Sequence, residues 1–434
     1  MPFRTCKPHQ DYAARRWMIE LFEFFGLRCE MKRRDFLAMT GGLGATLYWP
    51  TRSYAVSERA AEFKPGYDNL LILLELKGGN DGLNTVIPFA DPAYAKLRPK
   101  IGIPREQVIQ LDEHTGLHPQ LQALMPMWKE GQLAIVQGVS YPQPNLSHFR
   151  SIEIWDTASR SDEYLREGWL TRAFAQRPVP AGFAADAVVI GSAEMGPLSH
   201  GARAVALINP QQFLQQSRLA MPAHIHERNP SLEHILSVEN DIVKAADKLR
   251  PREGQYQFKT AFPQGALGAS VKTAMQVVAA GDSPGGVPLV GQGVGVVRLT
   301  LNGFDTHQNQ PGQQANLLKQ FADSMVAMRS ALLELGRWDS TLIMTYSEFG
   351  RRPGENQSNG TDHGTVAPHF IAGGRVQGGL HGSAPVLARL DGGGNLPVGV
   401  DFRSIYATVL NDWWGIDPAS VLQERFPSMP LLRV

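Results

Sequence analysis

"NLLILLELKGGNDGLNT", Asn69 to Thr85, is the stretch on which the fold turns. From Leu70 to Leu76 the run is nearly all apolar. It then breaks into Gly78-Gly79-Asn80-Asp81-Gly82. A continuous apolar run that ends in a turn signal reads as a strand covered on both faces, the kind found in parallel sheets. The glycines serve a tight turn. Their spacing lacks the dinucleotide fingerprint, so no nucleotide site is expected there.

Outward from this strand the pattern alternates. Further strands are expected at 133–141, 184–192, 204–209, 294–301, 341–346 and 367–372. Helical spacing is expected over 117–132, 145–158, 314–338 and 402–416, with mixed helical signals between 210 and 285, among them "HILSVENDIVKAADKL" and "GASVKTAMQVVAAG". Strand–helix alternation of this kind implies α/β, a mainly parallel sheet sandwiched by helices. No long linker interrupts 67–434, so one domain is expected. The 434 residues are 43% apolar, which supplies a sizeable core. With 42 Lys+Arg against 41 Asp+Glu, the balance excludes nucleic-acid binding by bulk charge. No apolar stretch is long enough to span a bilayer.

The amino-terminal region has a different layout. "MKRRDFLAMTGGLGATLYWPTRSYA", residues 31–55, has a basic start at Arg33-Arg34, a weakly apolar middle and a small-x-small end at Ser53-Tyr54-Ala55. That is an export-signal layout, and it resembles a twin-arginine (Tat) signal. Residues 1–30 are then expected to be an upstream extension that is not native, and 56–66 a linker. Both cysteines, Cys6 and Cys29, fall in 1–30, so the mature chain is expected to carry neither a disulfide nor thiolate chemistry. The expected location is the periplasm or the medium. The Tat translocase would be a partner during export, and no stable membrane span would remain after cleavage.

In a parallel sheet, ligands gather at the carboxyl ends of the strands. The polar residues that stand out fall at such ends: Asp81, Ser147 and His148, Asp305 and His307, Glu348, then Asp362 and His363 before the next strand. Carboxylates and imidazoles brought together from distant segments need a counter-charge or shared protons. Asp, Glu and neutral His are ligands for a divalent metal such as zinc, manganese or iron. Each residue also has a plainer reading. Ser147 can be only an N-cap, and Arg351-Arg352 only a solvated loop pair. His114, His118, His224, His226 and His234 are read as surface or core histidines.

The stretches "ELKGGNDGLNT", "SHFRSIEIWDT", "NGFDTHQNQ", "SEFGRRPGENQSNGTDHG" and "GGRVQGGLHG" together resemble the DUF1501 family of exported bacterial proteins, over roughly residues 70–415. In motif order this is similar to the alkaline phosphatase/sulfatase superfamily, whose usual chemistry is metal-assisted hydrolysis or transfer of phosphate or sulfate esters. The resemblance implies Asp81 as the first-strand metal ligand and Ser147 as a nucleophile at a helix N-terminus, where backbone amides favour an anion. It implies Arg150 as the holder of an equatorial oxygen and Asp305 with His307 as a metal pair.

Two registers remain for the rest. In one, Asp362-His363 is the superfamily's Asp-His-Gly pair and His381 its last histidine. In the other, Ser347-Glu348 takes that place and Asp362-His363 belongs to the last-histidine element. The second is preferred, because Glu348 directly follows an apolar strand. Phe349 then stands where a histidine ligand belongs, so one of two metal sites would be incomplete.

The resulting expectation is an exported metal-dependent hydrolase of phosphate or sulfate esters, small or polymeric, with a divalent metal, zinc first. Its metal residues would be Asp81, Asp305, His307, Glu348, Asp362 and His363. Two alternatives stay open: a non-catalytic exported binding or assembly protein on a degenerate phosphatase-like scaffold, and a metal-dependent hydrolase of another ester or a glycan.

Overall fold

The structure is a computed structural model and describes residues 63–208, 256–280 and 293–434. These lie in one compact unit, Phe63–Val434. The signal-like segment, both cysteines and "HILSVENDIVKAADKL" lie outside the described residues.

The Asn69 stretch forms strand β1 (Leu70–Lys77). Eight further strands share its sheet: β2 (Leu133–Ser140), β3 (Ala185–Ile190), β4 (Ala204–Leu207), β5 (Val294–Asn302), β6 (Thr341–Tyr346), β7 (Ala367–Ala372), β8 (Gly379–Gly382) and β9 (Val400–Asp401). Their order is β8-β2-β7-β6-β1-β5-β3-β4, with β9 also on β2. β1 pairs in parallel with β5 and β6, and β3 with β4 and β5. Only β7 runs the other way, antiparallel to both β2 and β6. The expectation of a mainly parallel sheet between helix layers holds.

Side chains alternate across a strand, so β1 feeds two cores. Leu70, Ile72, Leu74 and Leu76 join the face covered by helices α4 (Ala266–Ala280) and α5 (Gln310–Glu334). Leu71 and Leu73 join the other, with α2 (His148–Thr157), α3 (Trp169–Gln176) and α6 (Phe402–Thr408). A short helix, α1 (Gly82–Thr85), follows β1 directly.

Two expected helices form differently. Residues 117–132 give a 3-10 turn, Pro119–Leu124, and then a short helix, Met125–Lys129. Pro119 and Pro126 lack amide hydrogens, so a continuous helical ladder is interrupted. Beyond Thr408 the last helix relaxes into a π turn, Val409–Trp413.

The apolar reading of β1 hid a charge. Glu75 is fully buried and pairs with Arg298 of β5 at 2.7 Å, both side chains at 1% exposure or less. Arg298 also donates to the Tyr346 hydroxyl at 2.8 Å. A buried pair of this sort is costly to break from one side, by about 3–5 kcal/mol. Asp156 of α2 shares the same arginine's field. The residue keeps some surface, but its Oδ1 is sealed from water and has no hydrogen-bond partner. Burial pushes its carboxyl up to about 8. The Arg298 charge opposes this and Glu75 adds to it.

The folded protein therefore holds a proton on Asp156 that the unfolded chain loses near the ordinary aspartate pKa of about 4. Between the two values the folded state binds more protons, so this group makes stability fall as pH rises through that window. Asp156→Asn should flatten the slope. Urea midpoints at pH 5 and pH 8 should lie closer together in the variant than in the wild type, and an unchanged gap would refute the assignment.

Candidate metal centre

β2, β5 and β6 end at one rim of the sheet. β7, running the other way, starts there, and its Ala367 lies opposite Val139 near the end of β2. The loop before β7 is thereby delivered to the same rim as the loops after the parallel strands. His148 (α2), Asp305 (after β5) and His363 (before β7) meet there, with one ligand-type atom from each within 4.8 Å of the others.

The approach of the loops depends on two glycines. Gly78 has φ +117°, and a Cβ on it would lie 2.4 Å from the Asp305 amide nitrogen. Gly79 has φ +83°, and a Cβ there would strike the Phe349 ring at 2.5 Å. The Gly78 amide donates to Glu348 Oε1 at 2.9 Å.

Three imidazoles are oriented from outside. His148 Nδ1 lies 2.8 Å from Glu348 Oε1, His363 Nδ1 lies 2.8 Å from the Leu146 carbonyl, and His307 Nδ1 lies 3.4 Å from Asp362 Oδ1. Carboxylates and carbonyls only accept, so the Nδ1 of His148 and of His363 donates, and each of these rings turns its Nε2 inward. The inward nitrogens converge on Asp305. His307 Nε2 and His363 Nε2 are 2.9 Å apart and lie 3.0 and 3.2 Å from Asp305 Oδ1. His148 Nε2 lies 3.5 Å from Oδ2. Arg351 already brings one positive charge here, donating to Asp305 Oδ1 at 2.6 Å and lying 3.5 Å from His307 Nε2, and a carboxylate facing three ring nitrogens can take a further cation or shared protons. Outer carboxylate–histidine pairs are the usual support of a metal ligand. The donor set fits a borderline divalent ion such as zinc.

The electrostatics follow from these contacts. The hydrogen bond to Glu348 holds His148 above the usual imidazole value, whereas burial pushes His363 below it. Burial alone would raise Asp305. The hydrogen bond and charge of Arg351, with help from His363 and His148, hold it below the ordinary range. Asp362 is also lowered, first by the Asn356 amide.

Several expectations change here. Asp81 is 1% exposed and caps α1, accepting from the Leu83 amide. Arg98 takes both of its oxygens, at 2.5 and 2.8 Å, and Gln310 donates to Oδ2. It has no lone pair left for a metal and stands apart from the cluster. Glu348 and Asp362 lie on the Nδ1 sides of His148 and His307, away from the converging Nε2 atoms. Arg150 is engaged within the chain. Its guanidinium binds the carbonyls of Arg160, Ser161 and Glu163, and stacks on Tyr164 at 3.9 Å. Arg351 is buried at 2%, not a solvated loop residue. Ser147 is exposed at the N-cap of α2, and its hydroxyl makes no capping bond. Phe349 walls the site, with its ring 4.8 Å from His148 and 4.5 Å from His363. His381 is half-buried, with its Nε2 2.8 Å from the Gln377 carbonyl.

The imidazole left out of the expected ligand set is His148. Its signal was present: it follows Ser147 at the first turn of a helix that starts at the rim.

A mainly parallel α/β sheet with three imidazoles and one carboxylate on its carboxyl rim defines a candidate metalloprotein. The family model described as "Protein of unknown function (DUF1501)" matches residues 114–426, and the chain belongs to that family. Comparison with curated proteins gives no match. Among solved structures the chain is similar to a protein in the alkaline phosphatase superfamily from Vibrio parahaemolyticus, at 12% identity and TM-score 0.38, over 84% of this chain and 71% of that one. It is similar to the lipoteichoic acid synthase from Listeria monocytogenes at 10% identity and TM-score 0.36, over 81% and 72%. It is also similar to the alkaline phosphatase of the Antarctic bacterium TAB5 at 11% identity and TM-score 0.27, over 71% and 92%.

With Asp81 committed to Arg98, a purified chain loaded with zinc should hold one equivalent by elemental analysis. His148→Ala should remove it, and Glu348→Gln should weaken it about 10–100-fold. Two equivalents, or full retention in His148→Ala, would refute this ligand set. Arg98→Met should destabilise the fold by roughly 3–5 kcal/mol through the stranded Asp81 charge, read as a drop in urea midpoint.

Proposed function

We propose that this protein is an exported, metal-dependent hydrolase of phosphate or sulfate esters. The observation that carries the reading is the set of inward-facing Nε2 atoms of His148, His307 and His363 around Asp305 at an open rim. In this reading His148, Asp305 and His363 hold a divalent ion, with His307 as the fourth ligand. When bound, such an ion neutralises charge on the transferred group and lowers the pKa of a coordinated hydroxyl.

The chain's own residues do the rest. Glu348 and Asp362 fix the ring orientations of His148 and His307. Ser147, exposed and free of capping duty, is the candidate nucleophile one residue before His148. The start of α2 turns backbone amides toward an anion at the same place. Phe349 and the buried glycine turn limit water behind the rings.

Export is the second part of the proposal and rests on Arg33-Arg34 and Ser53-Tyr54-Ala55. No helix among the described residues is long and apolar enough to cross a membrane.

The zinc-loaded chain should hydrolyse one of a panel of aryl phosphates and sulfates, and chelation should abolish turnover. Ser147→Ala should reduce kcat by at least about 10²-fold. Full activity of that variant would remove Ser147 from the mechanism, and an inert panel with metal bound would favour the binding-protein alternative. Amino-terminal sequencing of protein from a Tat-competent cell should begin near Val56, and cytoplasmic retention would refute export.

A further inference from the structure

Two of the converging imidazoles are oriented from different segments. His363 Nδ1 donates to the Leu146 carbonyl at 2.8 Å, in the loop after β2. His148 Nδ1 donates to Glu348 at 2.8 Å, just after β6. The first loop reads Tyr141-Pro142-Gln143-Pro144-Asn145-Leu146-Ser147. Its two prolines have no amide hydrogen, so its backbone has few bonds of its own to hold it. Asn145 brackets Leu146 instead. The Asn145 side chain accepts from the Ser147 amide at 2.9 Å, and the Asn145 amide donates to the Tyr141 hydroxyl at 3.1 Å. The Ser161 hydroxyl also reaches the Pro142 and Gln143 carbonyls, but at an exposed position where water competes.

The hydrogen bonds beyond Tyr141 have a fixed direction. Its hydroxyl lies 2.7 Å from Ser151 Oγ, and Ser151 Oγ bonds the Glu348 carbonyl. A carbonyl only accepts and a serine hydroxyl has one hydrogen, so that hydrogen goes to Glu348. Tyr141 is then the donor to Ser151, and its oxygen receives the Asn145 amide. The Asn145 carbonyl, at 3.3 Å, is the more distant acceptor for the tyrosine hydrogen. One directed chain results, from the Asn145 amide through the Tyr141 and Ser151 hydroxyls to the Glu348 carbonyl. Tyr141 is 1% exposed and Ser151 is fully buried, so water competes with neither link.

We infer that Tyr141 and Ser151 are positioning residues of the candidate metal centre, whose hydroxyls lock the loop that orients His363 to the residue that orients His148. They act through the Leu146 carbonyl and Glu348 rather than on the ion. The inference rests on the reading of these two imidazoles as metal ligands, not on the reaction assigned to the site. An ion holds its donors at set separations, so a Leu146 carbonyl free to shift lets the His363 ring turn and weakens binding.

The test reads zinc affinity of the purified full chain by competition with a chelator of known strength. Tyr141→Phe deletes only the hydroxyl, and Ser151→Ala deletes the next link. Each should weaken zinc about 3–10-fold, less than the roughly 10–100-fold expected of a group bonded directly to a ligand imidazole. The two act in series, so the double variant should lose about as much as the larger single loss, not the product of both. Tyr406→Phe is the control. Its hydroxyl is also buried and also bonds α2, at the Trp155 carbonyl (3.1 Å), but near the end of the helix remote from His148. It should bind zinc as the wild type does. In the cobalt-loaded chain the visible ligand-field bands should shift in Tyr141→Phe and stay in place in Tyr406→Phe.

Wild-type zinc affinity in either folded variant, Tyr141→Phe or Ser151→Ala, overturns the inference and leaves the ligand set standing. Either variant decides alone where the other does not fold. An equal zinc loss or an equal band shift in Tyr406→Phe assigns the effect to general stability and also overturns it. Losses that multiply in the double variant overturn the directed chain. A wild type that takes up neither zinc nor cobalt overturns the ligand set, and the inference with it.

Discussion

The rim of this protein is organised by one buried guanidinium. Arg351 donates to the carbonyls of Gly78, Gly79, Phe304 and Thr361, and to Asp305 Oδ1 at 2.6 Å. Those acceptors belong to the turn after β1, the loop after β5 and the loop before β7. A guanidinium offers five hydrogens in a rigid fork and cannot lose its charge, so it fixes three chain segments against one another. Without it, the carbonyls of Gly78, Gly79 and Thr361 would lose their guanidinium donor, and each left buried and unpaired costs about 1–3 kcal/mol, while the Phe304 carbonyl keeps the Thr306 amide at 2.8 Å. Asp305 would also lose the hydrogen bond and charge that hold its carboxyl below the ordinary range.

The two acidic positions at this rim show how the same residue type takes different roles. Asp81 and Asp305 each meet an arginine. Arg98 wraps Asp81 from a fully buried position, with Asn84 on the same guanidinium, and the pair is closed. Arg351 touches only one oxygen of Asp305, and imidazoles occupy the rest of its surroundings. The difference is one of coverage. A carboxylate with both oxygens taken is structure, whereas one with open valence beside ring nitrogens is a candidate site.

Much of the architecture was legible in the chain. The unbroken apolar run of β1, the amphipathic spacing of α5 and the turn glycines each depend on near neighbours, and periodicity reports near neighbours well. The rim was legible in outline, because Asp305, His307 and His363 all follow or precede strands. Three things were not. Arg98 lies 17 residues from Asp81, in a segment whose reading gives no hint of the pairing. Glu75 and Arg298 each interrupt an apolar strand, and only the parallel register of β1 and β5 makes the pair visible. The outer position of Glu348 and Asp362 depends on ring rotation, which no spacing encodes. His148 is legible as a rim residue, but the resemblance assigns a role at that helix start to Ser147 alone.

The place of β7 in the sheet has a consequence for how the chain is made. β2, at residues 133–140, has only β7, β8 and β9 as partners among the described strands, and all three lie beyond residue 366. While the ribosome is still working through the first three quarters of the message, β2 is an orphan, and the sheet is two unjoined pieces. Closure waits for a single strand to be slotted between β2 and β6. Pairing over such separations is slow compared with local helix formation. The nascent chain therefore has a long interval with an apolar strand uncovered, and a chaperone that shields residues 133–140 during synthesis would act at the most exposed point of this protein's life.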